Sequence, residues 1–121
     1  MLTIKLYTGE AALGLSMAGH AGAGKKGSDI VCAAASMLAC TAGESARQLY
    51  RQGALAQDPT VCLAPGYARV EVRPNPDSRA EANQLFSVLS TGFSLLAAQY
   101  PDHVKLEMGR KRKESFYDGK S

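Results

Sequence analysis

The 121-residue chain contains no apolar run near the roughly 18 residues that a membrane-crossing helix needs, which argues against such an anchor. Its N-terminus lacks the basic stretch and apolar core of a signal peptide. Met1-Leu2-Thr3-Ile4-Lys5-Leu6 alternates like a strand instead, and export is not expected. Cysteine is scarce: Cys32, Cys40 and Cys62 form no close pair, which argues against a disulfide framework and against a zinc centre of the CxxC kind. At least one thiol is therefore free, and a reducing compartment fits best. The glycine-rich segment before residue 28 has neither GxxxxGK[ST] nor a GxGxxG opening a helix, so nucleotide binding is not expected there. Repeats at solenoid periods are missing too. None of these patterns calls for a cofactor or a metal.

What is present describes an ordinary soluble domain, with 45% hydrophobic and 21% charged residues and enough length to bury one core. The net charge of +3 is uneven. From Arg110 onward five basic residues stand against two acidic ones, whereas the preceding chain holds nine of each. The body is neutral and the C-terminal end carries the charge. We therefore expect a domain over residues 1–108 and a basic, disordered tail over 109–121, since the tail has little to bury.

Leu2, Ile4 and Leu6, then Leu13, Leu15 and Met17, recur at period two around Thr8-Gly9-Glu10, which predicts an N-terminal hairpin ending near Gly19-His20. The stretch Ala21 to Ser28, rich in glycine and lysine, reads as a loop. From about Ile30 to Gln52 an alanine-rich, proline-free run repeats apolar residues at three and four, predicting a helix capped by Ser28 or Asp29 and ended at Gly53. Thr60 to Ala64 and Tyr67 to Arg73 read as strands joined by a Pro65-Gly66 turn. Ser78 with Glu81 reads as a capping box opening a second helix, whose Ala82, Leu85, Phe86, Leu89, Phe93 and Leu96 share a face and which stops before Pro101. Val104, Leu106 and Met108 alternate in a last strand. The order ββαββαβ implies an α+β domain, a largely antiparallel sheet with two helices on one face.

The segment that carries chemistry is Gly19 to Ser36. A thiol attacks as its thiolate, and a helix start favours that anion through free amides and the macrodipole; the expected helix places Cys32 in its first turn. His20, twelve residues upstream across the loop, is the better placed of two histidines to serve as its base. Amides at the same helix start would be free to receive an oxyanion. By chemistry alone, a cysteine in this place is also compatible with a buried small hydrophobe. Cys40 and Cys62 read as packed apolar side chains, and His103 as exposed.

Gly19-His20-Ala21 followed by Ser28-Asp29-Ile30-Val31-Cys32-Ala33-Ala34-Ala35-Ser36 resembles the bacterial ribosomal-processing cysteine proteases, and the element order fits that fold over about residues 1 to 108. The resemblance implies a cytoplasmic, homodimeric protease that removes an N-terminal extension from the ribosomal large-subunit protein conventionally numbered twenty-seven, cutting after aromatic or other apolar residues. It makes His20 and Cys32 the catalytic dyad. Asp29 and Ser36 match further motif positions: Asp29 caps the helix or holds the imidazole in one tautomer, and Ser36 bonds near the thiol or to its own i−4 carbonyl. Gly22, Gly24 and Gly27 supply either a gate over the substrate or a plain connector. The resemblance is silent on the block Arg110, Lys111, Arg112 and Lys113, a solvated tail or a contact to ribosomal RNA. A reading of a different class is a non-catalytic ribosome-associated module with a structural Cys/His pair.

Overall fold

In the computed structural model the residues described are 1–20 and 26–111, without the side chains of 26–29, 110 and 111. The strands and helices follow the expected order: β1 (Leu2–Gly9), β2 (Leu13–Gly19), α1 (Lys26–Arg51), β3 (Thr60–Ala64), β4 (Tyr67–Val72), α2 (Arg79–Gln99) and β5 (Val104–Lys111). The five strands form one sheet in the order β3-β4-β2-β1-β5. The β1–β5 pair is parallel and the other three are antiparallel. Period-two alternation turns Leu2, Ile4, Leu6, Leu13, Leu15, Val70 and Val72 to one face. There they meet Ala35, Ala39, Ala42 and Ala46 of α1 and Ala82, Phe86, Leu89 and Phe93 of α2. Leu38 of α1 closes over Gly92 of α2: a Cβ on that glycine would lie 2.8 Å from a Leu38 methyl.

Two boundaries and one helix cap differ from the sequence reading. Helix α1 begins at Lys26, one turn before Ile30, and takes in Gly27, Ser28 and Asp29. The first-turn amides have no intrahelical partners in any case, so Gly and Ser cost little there, and an acidic residue suits the positive end of the dipole. Ser28 and Asp29 thus lie inside the helix rather than at its cap, and Gly27 belongs to the helix rather than to a substrate loop. Gly22 and Gly24 lie outside the described residues. At the other end Gly53, with φ +77°, closes α1 as expected: its amide bonds to Tyr50 O and that of Ala54 to Leu49 O, at 3.0 and 2.9 Å.

The capping box does not form. A 3₁₀ turn, Pro76–Ser78, precedes α2, which opens directly after Ser78 as expected, but the Ser78 side chain makes no capping hydrogen bond; its backbone is not extended (φ −109°, ψ 13°) and its amide bonds to Asn75 O at 3.0 Å. Strand β5 runs past Met108 to Lys111, pairing Arg110 with Thr8 and Lys111 with Gly9. The boundary expected at Met108 therefore falls inside a strand, because β1 continues to Gly9 and offers its backbone that far.

Candidate active site

His20 follows the last residue of β2, and two glycines decide its place. Gly19 has φ +105°, and a Cβ there would lie 2.5 Å from the Met1 carbonyl oxygen, so only glycine fits. Its amide donates to Gly66 O at 3.0 Å, tying the end of β2 to the β3–β4 turn. Gly66, with φ +74°, lies against the imidazole: a Cβ on it would stand 3.2 Å from His20 Cε1 and 3.4 Å from Nε2. The ring is thus held over the bare backbone of the turn while remaining exposed to solvent. Pro65-Gly66 was legible as a turn. That it supports His20 was not, since the contact spans 46 positions of sequence.

Cys32 is the seventh residue of α1 and half-buried, between the fully buried Val31 and Ala35. The earlier helix start changes the electrostatics at Cys32. The amides without an intrahelical acceptor are those of the first four residues, and the Cys32 amide lies past them in the helical ladder. The macrodipole acts chiefly in the first turn, one turn away, so it contributes little at Cys32. Ser36 is one turn further on and exposed; the side chain of Asp29 lies outside the described residues. Cys40 and Cys62 are exposed, not packed. His103 is half-buried, not exposed; its amide bonds to Tyr100 O at 3.0 Å and its carbonyl accepts from Leu2 N at 2.9 Å.

Topology brings the pair to one end of the molecule. Register pairs Ala18 with Tyr67 and Leu13 with Val72, so His20 and the Gly66 turn share one end of the sheet. The C-terminus of α1 is fixed at the opposite end, where Leu55 bridges Pro74 and Asn75 N donates to Ala54 O. The N-terminal half of α1, with Cys32, therefore points back toward His20.

The sheet face away from the helices holds a cluster that sequence reading missed. Glu71 is 6% exposed; it accepts from the Tyr7 hydroxyl and pairs with Arg73 at 3.4 Å and Arg69 at 3.8 Å. Burial, then the Glu71 carboxylate, pushes the Tyr7 hydroxyl far above its ordinary value, against a smaller opposite pull from Arg69 and Arg73. Tyr7 lies over Gly14, where a Cβ would come 2.4 Å from its hydroxyl oxygen.

A family profile described as cysteine protease Prp matches residues 1–105. Among solved structures the chain resembles SMU.848 from Streptococcus mutans, at 23% identity and a TM-score of 0.68, covering 92% of this chain and 96% of that one. It also resembles the essential ribosomal processing protease Prp from S. aureus in complex with a covalently linked product peptide, at 20% identity and a TM-score of 0.65, covering 89% and 99%. The same S. aureus protease with a substrate peptide matches at 19% identity and a TM-score of 0.65, over the same shares. No curated protein sequence matches.

Proposed function

The chain belongs to the Prp family of cysteine proteases, and from that membership we propose that it removes the N-terminal extension of the ribosomal large-subunit protein conventionally numbered twenty-seven, in the cytoplasm. Cys32 attacks the carbonyl carbon of the scissile bond while His20 takes the thiol proton. The imidazolium then protonates the leaving amine, and water, deprotonated by the same ring, frees the acyl group and restores the thiol. The observation that carries this reading is the seating of His20: Gly19 and Gly66 hold an exposed imidazole at the end of the sheet from which α1 presents a half-buried Cys32. The active form is a homodimer, and Arg110, Lys111, Arg112 and Lys113 add contact to ribosomal RNA.

Incubation with the host's own precursor, followed by mass spectrometry, tests the activity. Cys32→Ala and His20→Ala should each abolish release of the extension while the fold is kept; full cleavage by Cys32→Ala would sink the assignment. Thiol alkylation separates catalysis from a structural pair. Cys40 and Cys62 are exposed, so access does not limit them. Cys32 should nonetheless react faster with iodoacetamide at mildly acidic pH, and His20→Ala should remove that advantage; equal rates in the wild type would favour a binding module.

A further inference from the structure

The two edges of the sheet are built differently. Strand β5, on one edge, carries Lys105, Glu107, Arg110 and Lys111, the charged type of edge that resists pairing with another chain. Strand β3, on the other, reads Thr-Val-Cys-Leu-Ala, with no charge and no proline, and every residue but Val61 is exposed. Among the described residues nothing lies beyond it in the sheet. Such an edge is a template for one more strand.

The main chain of β3 shows which groups are on offer. Ala64 and Tyr67 flank a two-residue turn and pair directly, so the hydrogen-bonded positions toward β4 are Ala64, Cys62 and Thr60. The amides and carbonyls of Leu63 and Val61 then point away from the sheet. Their side chains face α1, where a Cβ on Gly43 would lie 3.0 Å from Val61 and 3.4 Å from Leu63. From Gly43 the same helix face leads back through Cys40 and Ser36, both exposed, to Cys32. Beyond Ala64 comes the Pro65-Gly66 turn that supports His20. The open edge therefore leads to both members of the dyad.

We propose that β3 is the docking strand for the substrate: an extended peptide pairs with the outward amides and carbonyls of Val61 and Leu63, lays an apolar side chain beside Leu63, and reaches Cys32 past the Ala64 end. This inference rests on the protease reading and names how that site holds its substrate. Main-chain pairing supplies affinity that is indifferent to sequence, and the 40% exposed Leu63 favours an apolar side chain in the segment.

The probe is a synthetic peptide spanning the host precursor's extension and its first mature residues. With Cys32→Ala protein at saturating peptide, hydrogen exchange should slow at least tenfold at the Val61 and Leu63 amides, with little change at Cys62, already paired with β4. Unchanged exchange at Val61 and Leu63 overturns the proposal. On the wild-type protein, N-methylation of the peptide at alternate residues near the cut should lower kcat/KM at least tenfold, chiefly through KM, in one phase of the alternation and not the other; equal effects in both phases also overturn it. Leu63→Pro, which removes an outward amide and none facing β4, should raise KM at least tenfold while the alkylation rate of Cys32 stays within twofold. If wild-type protein cleaves and β3 stays unprotected, the docking fails and the protease stands. If β3 is protected and no peptide is cut, the protease reading fails and the docking stands.

Discussion

At the scale of single residues, backbone sites where a side chain will not fit locate the histidine, and motif spacing locates the cysteine. Gly66 meets His20 through its missing Cβ, so Gly66→Asn, which tolerates a positive φ, should fold yet displace the imidazole. We expect kcat to fall at least tenfold with a smaller change in KM, read from peptide hydrolysis alongside a thermal melt; an unchanged kcat in the folded variant would show that the ring does not depend on the turn. Tyr7 makes a second prediction, about pH. Its folded-state value is raised above the ordinary one of about 10, so the protonated hydroxyl contributes its stability in full below that pH. That contribution declines as pH rises beyond about 10, by at most about 1.4 kcal/mol per pH unit, because the folded chain holds the proton that the unfolded chain releases. Denaturant melts from pH 8 to 11 should show this slope in the wild type and a shallower one in Tyr7→Phe, which also costs about 1 kcal/mol near neutrality through the lost bond to Glu71. As candidates, Cys32 and His20 were legible because a motif and a chain distance point to them. Gly66 under the imidazole and Glu71 under Tyr7 were not, since both depend on cross-strand register: Tyr7 reaches Glu71 only because β2 places Gly14 between them.

At the scale of elements, hydrophobic period and turn residues identified the five strands and the two α-helices, while ends were decided by pairing and by the chain's free backbone groups. Alternation at Leu2, Ile4 and Leu6 and the three-four spacing of Ala35, Leu38, Ala39 and Ala42 survive into the structure because each marks the face that meets the core. The start of α1 escaped because Gly27 reads locally as loop, whereas a first turn tolerates it. The end of β5 escaped because Gly109 and the basic residues after it read as tail, whereas the free edge of β1 up to Gly9 gives them a partner. A truncation separates the two descriptions. A chain ending at Lys111 should melt close to the full chain, while one ending at Met108 should lose several degrees, since it strips the pairing from Tyr7, Thr8 and Gly9; equal melting would show that the last strand residues add nothing. Inside the core, Phe93 is fully buried where α2 meets the sheet, and Phe93→Ala should cost about 3–5 kcal/mol in urea unfolding.

At the scale of the whole molecule, charge and apolar surface bear on assembly. Before Arg110 the chain carries nine basic and nine acidic residues, so two copies meet without net repulsion between their bodies. The outer sides of the two helices expose Ile30 and Met37 on α1 and Val88 and Leu95 on α2, each about 60% accessible, and Leu38 against Gly92 brings the helices side by side. A homodimer that covers these residues gains about 25 cal/mol for each Å² of apolar surface it removes from water, and scattered single exposures would gain nothing by comparison. Sedimentation of the full chain should then give about twice the 12.8 kDa of one copy. Leu95→Glu should shift it to one copy by placing a charge on one of these exposed apolar positions, and its melt should fall because dissociation removes the stabilisation that assembly supplies. A wild-type mass of one copy would remove the dimer from the proposal. A dimer that survives Leu95→Glu would place the interface elsewhere. In neither case would the path from β3 to Cys32 be affected, because the helix sides in question are not the edge on which the substrate is proposed to pair.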